Sequence, residues 1–254
     1  MKGTKRKRKS PKLLLQDKPS KTASRSSLPE GFSISRARKA QTLLSKSITT
    51  PIQSELDSIE SIVGVDVAYL GEECFSAAVT VRFPELTVIE EQRATCRSMF
   101  PYIPTLLAYR ECLPTMKALA RLKRIADVYM FDGHGLAHPY GLGLASHLGV
   151  VLGVRSIGVA KRLLGKSTLR TIEGNKTVMI NGEKRGIAVE TNYKPVYVSV
   201  GNLISLEDAV EVVRRCIRRS RLPEPLRRAH EIATRDRESK RREDTESHTV
   251  VHTS

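Results

Sequence analysis

The sequence predicts one α/β domain, a mixed β-sheet flanked by helices. Three observations lead to it. Residues 61–95 contain three consecutive β-rich runs. Residues 127–219 alternate strand-like and helix-like segments. Forty per cent of the 254 residues are hydrophobic, enough for one sizeable core.

The elements follow in order. Residues 35–47 set Leu43 and Leu44 among small and basic residues and read as a short helix. "SIVGVDVAYL" (61–70) and "FSAAVTVRF" (75–83) read as a hairpin, and "LTVIEEQRAT" (86–95) as a third antiparallel strand. Residues 104–123 have helical apolar spacing, with Pro114 expected to kink or divide the helix. "DVYMFD" (127–132) is a buried strand, "GLGLASHLGVVLGV" (141–154) a glycine-rich helix and "RSIGVA" (155–160) another strand. Residues 177–189 form a hairpin turning at Asn181-Gly182, and "KPVYVSVG" (194–201) is a last strand. Residues 205–219 form a helix capped by Ser205, with Asp208 three residues on. After Pro223 and Pro225 the chain reads as charged tail. The expected organisation is a disordered basic tail over 1–27, a catalytic domain over 28–232 and a charged tail over 233–254.

The net charge is +16, and residues 1–27 alone carry +9. Residues 214–254 carry +5, which leaves +2 for the body between. Basic tails on a near-neutral body suit a polyanion, nucleic acid being the commonest; a merely solvated tail is the alternative. The N-terminal apolar run, Leu13-Leu14-Leu15, is too short for a signal peptide, and no run spans a membrane, so a cytoplasmic location is expected; a monomer is a separate expectation. Cys74, Cys96, Cys112 and Cys216 form no C-x-x-C pair and no disulfide framework.

Three motifs mislead. "AKRLLGKST" (160–168) nearly matches a phosphate-binding loop, but the β-branched "LRTIEGNKTVMI" follows where a helix should open. "GHGLAH" begins like a dinucleotide fingerprint and meets Pro139. His134 and His138 lack the further ligands of a zinc site.

The acids carry more. Asp132 ends an apolar strand in "FDGHG", and Asp66 interrupts "IVGVDVAYL" beside small Gly64 and Ala68. Glu111 begins a helix after "PYIPT". Like charges that converge stay ionised only if a cation joins them, and magnesium suits carboxylates, water and phosphate. The alternative leaves each acid separately salt-bridged. Lys161, just beyond strand 155–160, would share a sheet end with Asp132 and could stabilise developing charge on phosphate, or be an exposed strand-end cation.

Taken together, "VGVDVAY" (63–69), "FPYIPTLLAYRE" (100–111), "FDGHGLAHPYGLGLASHLG" (131–149), "IGVAK" (157–161) and "PEPLRRAH" (223–230) resemble the endonuclease V family over roughly residues 35–232. The resemblance implies a ribonuclease H-like fold and a DNA-repair nuclease directed at deoxyinosine. It implies that Asp66, Glu111 and Asp132 hold magnesium (manganese substituting) and that Lys161 assists. It implies a nick at the second phosphodiester 3′ to the altered base, leaving 3′-hydroxyl and 5′-phosphate ends. Tyr102 corresponds to a strand-separating wedge, and Gly133, Gly135, His138 and Gly143 to the pocket for the flipped base. Two departures bear on efficiency and specificity. Asn202 stands in a Val200-Gly201-Asn202 turn where the family often has a histidine near the metals, and is expected to contact substrate. Thr105 replaces a common glycine. Alternatives are a nuclease acting on inosine in RNA and a non-catalytic nucleic-acid-binding relative.

Overall fold

The computed structural model describes residues 28–51, 56–98 and 100–251, with side chains as far as 246. The basic segment 1–27 lies outside the described residues. The chain runs α1 (Ile34–Leu44), β1 (Ser61–Leu70), β2 (Glu73–Arg82), β3 (Val88–Arg97), α2 (Leu107–Leu119), β4 (Val128–Asp132), α3 (Leu144–Leu152) and β5 (Ser156–Ala160). It continues with β6 (Thr168–Ile172), β7 (Asn175–Ile180), β8 (Glu183–Val189), β9 (Val196–Asn202), α4 (Leu206–Cys216) and α5 (Glu224–Val251).

The strands form one mixed sheet in the order β3-β2-β1-β4-β5-β9-β8-β7-β6. The β1–β2–β3 meander is antiparallel, whereas β1/β4 and β4/β5 pair parallel. This is the expected mixed sheet flanked by helices. Alternation along the strands divides the core between its two faces. Val63, Val65, Tyr129 and Phe131 pack on one face with Ala108, Ala118, Leu144 and Leu148 of α2 and α3. Ile62, Met130, Ile157 and Val159 pack on the other with residues of α4 and α5 such as Val213 and Leu226. No helix among the described residues is long and apolar enough to cross a membrane.

Two expectations need correcting, and one is borne out. Pro114 neither divides nor ends α2, which runs as one helix of 13 residues. Proline frees the carbonyl four residues back, and here the Ser98 hydroxyl donates to that oxygen, Arg110 O, at 3.1 Å. The near-match to a phosphate-binding loop leads, as read, into strand β6 and not a helix. The boundary expected at 232/233 falls inside α5. Leu226, Ala229, Ile232 and Ala233 recur at helical spacing and are at most 5% exposed, so the helix is held by the core despite its charge. The Ser205 cap forms as read, its hydroxyl accepting from the Asp208 N–H at 3.0 Å.

Candidate active site

The sheet register brings the strand acids together. Val65 pairs with Phe131 in the parallel β1/β4 ladder, so Asp66 and Asp132 stand one residue further along neighbouring strands, on the same face. Asp132 pairs with Val159 of β5, which places Lys161 just past the end of that strand. Lys161 Nζ donates to Asp132 Oδ2 at 2.5 Å.

Gly64 lies on the Asp66 face, two residues before it. A Cβ at Gly64 would fall 2.3 Å from the Pro225 carbonyl carbon, so its absence lets the start of α5 lie directly on β1. That contact carries His230 over the site, where its Nδ1 meets Asp66 Oδ2 at 2.7 Å. Sequence reasoning assigned His230 no role. The signal available was the histidine ending "PEPLRRAH", five residues past the Pro225 contact.

Glu111, on α2, completes the cluster from the opposite face. Burial pushes its carboxyl well above the usual range, and the charges of Asp66 and Asp132 push it further. Burial likewise raises Asp132, with Asp66 adding to the shift and Lys161 opposing it. The hydrogen bond to Asp66 raises His230. Asp132, at the end of an apolar strand, is met directly by Lys161.

Among the described residues, no group of three His, Cys, Asp or Glu side chains is already arranged to hold a metal ion. The chemistry of the donor set nevertheless fits one. Glu111 and Asp132, both raised by burial and by acidic neighbours, form with Asp66 a hard, oxygen-only set, with Lys161 on Asp132 and His230 on Asp66.

A cavity of about 490 Å³ opens beside Asp132 and Lys161. Of the residues expected to bind substrate, Tyr102, Gly133, His138 and Gly143 line it. Tyr102 is 66% exposed, which rules out a core aromatic. Arg162, Leu163 and Leu164 form part of the wall. His138 shapes the cavity with both nitrogens engaged: Nε2 lies 3.1 Å from Thr105 O, and Nδ1 accepts from the Tyr140 N–H at 3.2 Å. Burial pushes its imidazole down to about 4.

Gly135 and Asn202 do not line the cavity. A Cβ at Gly135 would lie 2.0 Å from Val200 O, and one at Gly143 would lie 2.1 Å from His134 O. These glycines let the 133–143 loop fold onto β9 and onto itself. Asn202 pairs with Ser156 at the start of β5, the end away from Lys161. It is 4% exposed. Its Oδ1 accepts from the Thr49 N–H at 3.0 Å, and its Nδ2 donates to Gly149 O at 3.0 Å. Its amide anchors the backbone; the histidine near the acids is supplied by α5 instead.

Comparison with known proteins gives a consistent picture. The family model described as Endonuclease V matches residues 42–231. Endonuclease V of Thermofilum pendens is 45% identical over 210 residues, covering 82% of this chain and 90% of the relative. The crystal structure of the Bacillus subtilis endonuclease V superposes with a TM-score of 0.77 at 29% identity, over 84% of this chain and 96% of that one. Endonuclease V of Ciona intestinalis, in complex with a 24mer DNA containing an inosine followed by a ribo-adenosine, superposes with a TM-score of 0.72 at 26% identity, over 81% and 98% of the two chains.

Proposed function

Since the chain belongs to the endonuclease V family, and is therefore an endonuclease, we propose that it nicks DNA at the second phosphodiester 3′ to deoxyinosine, with magnesium as cofactor. The observation that carries the reading is the convergence of Asp66, Glu111 and Asp132, from β1, α2 and β4, beside a cavity large enough for a base. Asp66, Glu111 and Asp132 would hold the ion. When bound, the ion neutralises charge on the phosphate and lowers the pKa of its water.

The chain's own residues do the rest. A water oxygen bonds to phosphorus as the P–O3′ bond breaks; the water loses a proton and O3′ gains one, leaving 3′-hydroxyl and 5′-phosphate ends. Lys161 is held by Asp132 where it can meet a phosphate oxygen. His230, held on Asp66, is the group able to take or give a proton near neutral pH. It also borders a second cavity with Arg218 and Arg219, a course for the strand leaving the acids. Tyr102 on its Pro101–Pro104 mount fills the gap left by an extruded base, and the 490 Å³ cavity receives that base. The unit acts as a cytoplasmic monomer, with the basic segment 1–27 adding charge.

RNA is the second reading, favoured by the ribo-adenosine after the inosine in the Ciona complex. The deciding experiment compares nicking of matched oligonucleotides carrying deoxyinosine, inosine in RNA, deoxyuridine or no lesion, with magnesium, manganese or chelator. Cutting of lesion and plain DNA at equal rates, or cutting undiminished by chelator, would overturn the proposal.

A further inference from the structure

Spacing along the chain pairs none of the four cysteines, but the sheet register pairs two. Cys74 of β2 stands directly opposite Cys96 of β3 in the antiparallel ladder. Facing residues of such a ladder project to the same side of the sheet. Here that side is the one under α2. Ala78 and Ala94, in step with the two cysteines along their strands, pack there against Ala108 and Ala118.

The register also gives the spacing. The Ser98 N–H donates to Glu72 O at 2.8 Å, so Glu72 and Ser98 face each other as a hydrogen-bonded pair. Two residues along, Cys74 and Cys96 form the next such pair. Cα atoms in that position stand about 5.5 Å apart, inside the range of roughly 4.4–6.8 Å that a disulfide spans. The Cβ atoms of facing residues start roughly 1 Å wider than a disulfide holds them. β3 can give that distance, because it stands at the edge of the sheet. Both cysteines are free thiols, Cys74 buried and Cys96 partly exposed. Burial pushes the Cys74 thiol up to about 12, and Cys96 against it adds to the shift. One sulfur can thus be met by a reagent, and the other lies protected within reach of the first.

We propose that Cys74 and Cys96 are a reversible disulfide site, whose co-reactant is a small-molecule disulfide such as oxidised glutathione. The Cys96 sulfur, as thiolate, attacks one sulfur of the reagent; the reagent's S–S bond breaks and a first thiolate leaves. The Cys74 sulfur then attacks the Cys96 sulfur and expels a second thiolate. Each thiolate expelled takes up the proton that its attacker gave up. Two protein thiols are oxidised to one disulfide and one reagent disulfide is reduced to two thiols, with no further reactant. The link fastens the edge strand to β2 beneath the helix that carries Glu111. It borders Arg110, the residue before that acid, whose guanidinium lies over the Tyr69 ring at 4.2 Å from its centroid. The site stands whatever reaction the acids perform.

The test incubates the full chain with oxidised glutathione and maps its peptides without reduction. The Cys74 and Cys96 peptides should be joined, with Cys112 and Cys216 still free. The melting temperature should rise by roughly 5 °C or more, because the link closes a loop of the unfolded chain, and dithiothreitol should return it. Cys96→Ser should show neither the link nor the rise, and Cys112→Ser should show both. Glutathione retained on Cys96, a dimer joined through Cys96, or four unreacted thiols would overturn the proposal. So would a Cys74–Cys96 link that left the melting temperature unchanged or lowered it.

Discussion

At the scale of single residues, the site is a set of charges that offset one another until substrate arrives. Asp132→Asn keeps the shape but removes the charge that Lys161 meets at 2.5 Å and that a metal ion would need. Cleavage should fall on the order of 10²-fold or more while binding to lesion DNA stays measurable in a gel-shift assay. A near wild-type rate under saturating magnesium would show the carboxylate to be dispensable. His138 makes a second prediction. Its folded pKa of about 4 lies below its ordinary 6.5. Between those values the unfolded chain binds a proton that folded His138 refuses, so this contribution to stability is complete above about pH 6.5 and is lost as pH falls towards 4. His138→Gln can still donate to Thr105 O and does not titrate. Its melting temperature should fall less between pH 7 and pH 5 than that of the wild type; parallel falls would refute the assignment. Asp66, Asp132 and Lys161 were legible in the sequence because charge beside apolar or glycine-rich strand is conspicuous. His230 was not, because it sits on a helix where a polar residue raises no question until its neighbour across the fold is known.

At the scale of elements, local pattern gave the strands well and the helix ends poorly. Asn181-Gly182 marked the β7–β8 turn, and Asn181 does adopt a positive φ of 51°. Pro114 misled because the group that compensates it, Ser98, lies 12 residues before the carbonyl it bonds. A cycle of variants isolates that pairing. Ser98→Ala should destabilise the wild type by about 1 kcal/mol, as expected for a hydrogen bond lost at a buried oxygen. In a Pro114→Ala background the helix regains its own N–H donor to Arg110 O, and Ser98→Ala should cost less. Urea unfolding of the four proteins measures the coupling; purely additive effects would mean that Ser98 does not compensate the proline. The end of α5 was misread for a different reason. Its charge density resembles a solvated tail, while a narrow stripe of Leu226, Ala229, Ile232 and Ala233 is enough to seat it.

At the scale of the whole molecule, charge and connectivity matter most. Residues 1–27 carry +9 on a body that is nearly neutral. Removing them should weaken DNA binding and flatten its salt dependence, each lost phosphate contact contributing roughly 0.9 to the logarithmic slope. The position of the nick should not move; an unchanged slope would show that the segment takes no part in binding. The overall sheet was legible because consecutive and alternating elements leave few topologies open. The far half of the site was not, because it arrives from the other end of the chain: His230 and Asp66 are 164 residues apart. That separation has a meaning in time. At about 5–20 residues per second, a ribosome needs roughly 8–33 s to make the histidine after it has made the aspartate. Throughout that interval β1 lacks the helix that covers it, and Asp66 lacks its histidine. A message cut short before α5 leaves Asp66 without the partner that meets it in the finished chain.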